Sequence, residues 1–248
     1  MNKLFISILL FFSYCAILLS QSNDYSFIHK QIKVSSKEKK YQINISYPQI
    51  SVFQGNPRIT SFYGFNTFVE NQMKAERDSF IVWMNDWEIN EHTKEFTSEY
   101  ELGDSVYYAD NKLISIQFYG YSYFAGAAHP NNWSFSINYD LENSKEIFLK
   151  DLLTAGWENK ISEICIAEIN KQKSEKDIEP SEWLKDGAGP KEDNFKVFNP
   201  IKEGLLITFP TYQVGAYVEG PSEVFIKYSE IKEIIKPKGL IGDIFKIK

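Results

Sequence analysis

The sequence predicts an α+β fold: mostly antiparallel sheets packed against a long N-terminal helix and a second, shorter helix. Three observations point there. Stretches of two-residue hydrophobic alternation, the period of a half-buried strand, occupy much of the chain. Two longer stretches repeat their apolar residues every three or four positions, the period of one helix face. The strand-like stretches mostly follow one another directly instead of alternating with helices, which disfavours a doubly wound parallel sheet. Composition agrees. The 248 residues are 43% hydrophobic and 24% charged, which are globular proportions. Aromatics at 16% favour β-structure and leave rings over for a binding face.

Residues 25–34 and 40–47 read as two strands joined by the charged turn Lys37-Glu38-Lys39-Lys40. Ile43, Ile45 and Tyr47 alternate with Gln42, Asn44 and Ser46, and Pro48 is expected to end the run. Over 57–87 the period changes. Ile59, Phe62, Val69, Met73, Phe80, Trp83 and Trp87 fall on one face of a long helix. Pro57 suits its first turn, and Asn56 its cap. Ser98–Tyr108 and Lys112–Phe124 form a hairpin around Ala109-Asp110-Asn111. Trp133, Phe135, Ile137 and Tyr139 then alternate with polar neighbours as a third strand. Asp151 caps or precedes a short turn at Leu152-Leu153. Trp157–Lys171 is the second helix, its apolar side formed by Ile161, Ile164, Cys165 and Ile169. Residues 172–194, with the run Asp186-Gly187-Ala188-Gly189-Pro190, read as a surface loop. Phe195–Phe198, Leu205–Phe209 and Glu223–Tyr228 read as strands, and Ser229 caps a short helix over 230–235. The organisation expected is a leader over 1–20, a strand–strand–helix module over 21–97 and an α+β module over 98–248. Whether the two modules share one core is left open.

The leader reads as a secretory signal. Lys3 precedes a nearly unbroken apolar run, Leu4–Leu19, and the chain turns polar at Gln21-Ser22-Asn23-Asp24. Ser20 is a small residue before a cut at Gln21. The run is shorter than the roughly 20 residues of a membrane span, so an uncleaved anchor would be the sole membrane attachment. Cleavage removes Lys3 and Cys15, turning the net charge of −6 into −7 and leaving Cys165 as the single cysteine. An internal disulfide is then impossible, and Cys165 reads as a small core residue. The protein is expected to be exported, to the periplasm, the cell envelope or beyond.

Several function classes drop out. With 27 basic and 33 acidic residues the chain lacks the basic footprint of a nucleic-acid binder. No Gly-x-Ser-x-Gly, P-loop or dinucleotide fingerprint is present. His29, His92 and His129 stand far apart and outside any zinc-hydrolase spacing. No cofactor or metal is expected. Glu99 and Glu101 share one strand face and Glu142 and Glu146 flank a turn, but neither spacing is specific for glycoside hydrolysis.

One segment stands apart: Tyr119-Gly-Tyr121-Ser-Tyr123, then a Gly/Ala loop ending in His129-Pro130, then Trp133. On a strand the three tyrosines share a face, and Pro130 biases His129 to extended backbone. The functional reading is an aromatic surface beside a titratable histidine, suited to a glycan or a protein. The structural reading is a tyrosine ladder over a helix, with the histidine bonding backbone.

The same segment carries a resemblance. Gly126-Ala-Ala-His129, the strand to Asn138-Tyr139-Asp140-Leu141, and Leu149-Lys-Asp151-Leu152 resemble the central signature of the extracytoplasmic modules of RsiV-type anti-sigma factors and PdaC-type peptidoglycan deacetylases. The stretch Leu206–Ile231, with Tyr212, Tyr217, Gly220 and Glu223, is similar too. An extra alanine before His129 departs from the usual Gly-Gly-Ala-His form. The resemblance implies an α+β domain outside the cytoplasm that binds without chemistry. In the RsiV type this region recognises lysozyme. In the PdaC type it accompanies a separate deacetylase domain, which these residues do not contain, so deacetylase activity is not carried over.

The expected function is therefore an exported, non-enzymatic recognition module of a bacterial envelope. Its ligand is a lysozyme-like protein or a cell-wall glycan, bound at Tyr119, Tyr121, Tyr123, His129 and Trp133. The rival reading is a cell-wall glycan hydrolase or a deacetylase-associated protein.

Overall fold

A computed structural model describes residues 25–179 and 182–247. The leader over 1–20 lies outside the described residues. The first strands are β1 (Tyr25–Ser36) and β2 (Tyr41–Val52), followed by helix α1 (Ile59–Asp86). Three longer strands and a short one come next: β3 (Ser98–Ala109), β4 (Leu113–Tyr123), β5 (Asn131–Asp140) and β6 (Lys145–Glu146). These six make one sheet in sequential order. All its pairings are antiparallel except β2–β3, which is parallel because the α1 crossover separates the two strands.

Pro48 does not end its strand. β2 pairs with β3 only through Tyr41–Ile45, so beyond that point β2 has a free side. A proline is tolerated at such an edge because no ladder bond need be lost. Helix α1 starts one residue after Arg58, and Asn56 accepts from the Arg58 amide at 2.8 Å, so Asn56 and Pro57 shape the turn before the helix. Its buried stripe is Phe62, Phe65, Val69, Met73, Phe80 and Met84. Trp83, placed on that stripe by spacing, is 60% exposed, because Met84 one position on takes the core-facing place. The stripe packs on Ile43, Ile45, Tyr100, Leu102, Ile116, Phe118 and Tyr139 of the sheet.

The second half begins with α2 (Leu149–Leu152), whose first amide at Phe148 donates to Asp151 at 2.9 Å, and α3 (Trp157–Ser174). The segment read as a loop holds a further short helix, α4 (Glu182–Gly187), and a 3-10 turn over Glu192–Phe195. It is anchored by Leu184, Ala188 and Phe195, all buried. Strands β7 (Phe198–Pro200), β8 (Gly204–Phe209) and β9 (Ser222–Lys227) make an antiparallel sheet. The helix expected over 230–235 is two 3-10 turns, and α5 (Leu240–Ile244) closes the fold. Helix α3 supplies Trp157, Ile161, Cys165 and Ile169 to a second core against Leu205, Ile207, Phe209, Val224 and Ile226. Cys165 is fully buried, and burial pushes its thiol up to about 12, which makes it an inert core residue.

The small sheet lies on the face of the large sheet opposite α1. This seam is polar. Asn199 donates to Ser115 at 2.9 Å, Thr208 to Gln117 at 3.2 Å, and Asn138 to the Phe198 carbonyl at 2.8 Å. The boundary at 97/98 falls between α1 and β3, and the six-stranded sheet continues across it.

Candidate functional site

Tyr119, Tyr121 and Tyr123 stand on the face of β4 that looks away from α1, so they are not a ladder over a helix. The alternate residues Ile114, Ile116 and Phe118 fill the α1 core instead. The small sheet covers the β4 face over Ser115 and Gln117; beyond it Tyr119 is 39% exposed and Tyr121 and Tyr123 are half-buried. Tyr119 lies at the margin. Its hydroxyl meets that of Tyr107 at 2.7 Å, and burial holds both phenols above their ordinary range. Trp133 does not join the tyrosines. It pairs with Gly120 and so points to the α1 face, where its ring packs on Tyr100 at 5.2 Å.

His129 is brought instead to rings from the second half of the chain. Its imidazole lies 4.4 Å from Tyr217, Tyr217 lies 5.4 Å from Tyr212, and Tyr212 lies 6.4 Å from Trp183 (all centroid distances). The row therefore draws on the β4–β5 loop, the 210–220 loop and α4. Tyr212 and Trp183 are each 47% exposed. Sequence reading left Tyr217, Tyr212 and Trp183 out of the site, although Tyr212 and Tyr217 stood in the stretch that carried the resemblance.

Hydrogen bonds fix the row. His129 Nδ1 lies 2.8 Å from the Pro130 carbonyl, which can only accept, so Nδ1 carries the proton and Nε2 of the neutral ring is an acceptor. The Tyr217 hydroxyl donates to the same carbonyl at 3.1 Å and accepts from Asn132 at 3.1 Å. Tyr212 has φ +73°, a left-handed backbone that a tyrosine rarely adopts. Gln213 holds it there, donating at 2.8 Å to both the Gly187 and Asn194 carbonyls. Lys173, 6% exposed, pins the loop from α3 by an ion pair with Glu219 at 2.8 Å and a bond to the Val214 carbonyl at 3.0 Å.

A second titratable pair lies elsewhere. The Asp104 side chain is 3% exposed, and His29 Nε2 comes within 3.2 Å of it. Burial raises the Asp104 carboxyl above its ordinary value, with His29 opposing. A raised folded-state pKa means that this group favours the fold most below its unfolded value, near 3.9. That contribution falls as pH rises through the folded value. Asp104→Asn is therefore expected to raise the melting temperature at neutral pH, with the gain vanishing toward about pH 4. Melting curves across pH check this, and a loss of stability at neutral pH would refute it.

Among the described residues no three His, Cys, Asp or Glu side chains are grouped to hold a metal ion. Nor, among them, is any helix long and apolar enough to cross a membrane.

A helix-backed mixed sheet joined to a small antiparallel sheet under a second helix, with a ring row where they meet, defines a two-part α+β protein. Its first part, residues 34–132, matches the family model described as deacetylase PdaC. Its second part, residues 150–229, matches a protein of unknown function, DUF3298. The chain thus pairs a match to a PdaC domain with a match to a DUF3298 domain, the combination on which its resemblance to RsiV/PdaC-type proteins rests. It is 32% identical over 152 residues to peptidoglycan-N-acetylmuramic acid deacetylase PdaC of Bacillus subtilis strain 168. That match covers 59% of this chain and 31% of the relative, so the chain spans less than a third of that protein. The fold is shared with a DUF3298 family member from Bacteroides fragilis, with TM-score 0.62 and 15% identity, covering 92% of this chain and 100% of that one. A DUF3298 family protein of Pseudomonas aeruginosa gives TM-score 0.56 and 18% identity, covering 86% and 96%. His129 belongs to the first matched segment, and Trp183, Tyr212 and Tyr217 to the second.

Proposed function

We propose that this protein is an exported, non-catalytic recognition protein of a bacterial envelope, and that it binds cell-wall glycan along the row His129, Tyr217, Tyr212 and Trp183, with Tyr121 and Tyr123 beside it. The observation that carries this is the row itself. Four rings from three separate segments lie in contact, two of them half exposed. One of the four is held in a left-handed backbone conformation. Folding alone gives no reason to keep such rings in water; stacking on the apolar faces of sugars does. His129 Nε2 meets the Tyr212 hydroxyl at 3.5 Å, a long contact that a sugar hydroxyl can replace as donor. The name of the Bacillus subtilis relative supports a cell-wall glycan as the ligand class.

The test is calorimetric titration of the purified protein with soluble peptidoglycan fragments, with product formation followed in the same tubes. A c-type lysozyme is titrated separately. Saturable fragment binding without product is expected, weakened about tenfold or more in Tyr212→Ala/Tyr217→Ala. Binding to lysozyme alone would replace the glycan by a protein ligand. Release of product would make the protein an enzyme.

A further inference from the structure

We infer that the open strip of the six-stranded sheet beside the ring row selects an amine-bearing, N-deacetylated glycan over its N-acetylated form. This rests on the glycan-binding reading and adds the class of sugar.

The strip is assembled by strand register. Glu99 and Glu101 of β3 stand directly across from Tyr123 and Tyr121 of β4. On their other side they face Gln42 and Asn44 of β2, beyond which lie Ser35 and Lys33 of β1. Asn132 of β5 stands across from Tyr121 and donates to Tyr217, which joins the strip to the ring row. Directly opposed residues in antiparallel strands have Cβ atoms about 5 Å apart, and five strands span roughly 19 Å. Its β1–β2–β3 side is hollowed into a shallow concavity of about 270 Å³, whose lining includes Lys33, Gln42, Asn44 and Glu101, with Tyr121 and Tyr123 on the strand beyond Glu101 and Glu99.

Charge gives the strip its selectivity. It carries two carboxylates, Glu99 and Glu101, against one ammonium, Lys33, and neither glutamate forms an ion pair among the described residues. Gln42 donates to Glu99 at 2.8 Å, fixing that carboxylate in place. Each glutamate sits next to a tyrosine, and burial together with the two carboxylates holds the Tyr121 phenol above its ordinary value. A protonated amine placed here meets a carboxylate and an aromatic face at once, the two groups that recognise an organic cation. An acetamide in the same place covers a carboxylate without supplying a counter-charge, a cost that discriminates against it. Asn44, and the amide oxygens and second N–H groups of Gln42 and Asn132 beyond their bonds to Glu99 and Tyr217, are left to read hydroxyl groups.

The experiment compares a glucosamine tetramer with an N-acetylglucosamine tetramer by calorimetry at about pH 6, where an amine is protonated and a carboxylate ionised. The amine form is expected to bind about tenfold tighter, with the preference shrinking as salt is added. Glu99→Gln/Glu101→Gln, at exposed or half-exposed positions, is expected to cut the preference to about threefold or less while leaving affinity for the acetylated tetramer within about twofold. Tyr212→Ala/Tyr217→Ala should weaken both alike. Equal affinity for the two tetramers, or a preference that survives the double glutamine change, overturns this inference and leaves the glycan reading standing. Binding of neither tetramer to the unaltered protein overturns both.

Discussion

Lys173→Met is expected to destabilise the protein by about 3 kcal/mol and to weaken ligand binding at least tenfold. The side chain is nearly buried, yet it carries a charge, and two acceptors meet it: Glu219 at 2.8 Å and the Val214 carbonyl at 3.0 Å. Methionine fills the same space and supplies no donor. It leaves the Glu219 carboxylate, 19% exposed, without its partner, and it orphans a backbone carbonyl. Tyr217 lies between these two contacts in sequence, so loss of the pin frees the ring that touches His129. The Glu219 carboxyl is held below its ordinary value first by Lys173 and then by the Ala216 amide, with burial opposing. A depressed pKa contributes stability that is present above the unfolded value, near 4.3, and lost as pH falls through the folded one. The deficit of the variant should therefore shrink in acid. Urea midpoints at neutral and acid pH measure it. Adding Glu219→Gln should restore much of the loss, because glutamine still accepts from Ala216 without burying a charge. A cost below about 1 kcal/mol at neutral pH would mean that the pair behaves as a solvated one.

Periodicity alone located most of the fold. The α1 stripe and the Ile43–Tyr47 alternation need only local spacing to be seen, and both stand in the structure with small shifts. What spacing cannot say is what covers the other side. Ser115 and Gln117 alternate with Ile114, Ile116 and Phe118, which looks like a wet face, yet both are fully buried under β7 and β8. Their partners Asn199 and Thr208 lie more than 80 residues away. The 172–194 segment failed for a related reason: its charged, glycine-rich composition hides Leu184 and Ala188, whose burial comes only from distant packing.

Half of the site was legible. Tyr119, Tyr121 and Tyr123 share a face by strand parity alone, as expected. His129 stood out as a histidine fixed by a proline. Its ring partners are far along the chain, Tyr212 and Tyr217 by 83 residues or more, and only the tertiary fold brings them near. Nothing in Trp183 separates it from an ordinary helix residue until Tyr212 is placed beside it. Trp133 was placed with the tyrosines because its face depends on how β4 and β5 pair. A slip of one residue in that register turns every side chain to the other side, and the loop between them does not announce it.

Gly120→Ala is expected to cost about 2–3 kcal/mol, a large effect for one methyl group. Gly120 sits between Tyr119 and Tyr121 on the α1 face, directly opposite Trp133. A Cβ there would fall 2.2 Å from the Trp133 ring. Glycine weakens a strand by itself, and an aromatic ring laid over it from the next strand offsets that loss. The ring has little room to retreat. It packs on Tyr100, whose ring lies 5.0 Å from Phe80 and whose hydroxyl donates to Glu76 of α1 at 2.5 Å. In a Trp133→Ala background the same glycine change should cost little or even stabilise, since the obstacle is gone and alanine suits a strand better. The coupling between the two changes, read from denaturation midpoints of the four proteins, should reach about 2 kcal/mol. Trp133→Ala should also leave glycan affinity within about twofold, because its ring faces α1 and the ligand surface lies on the other side of the sheet. An equal cost for Gly120→Ala in both backgrounds would deny the contact. A lost affinity in a folded Trp133→Ala protein would move the binding surface to the helix side.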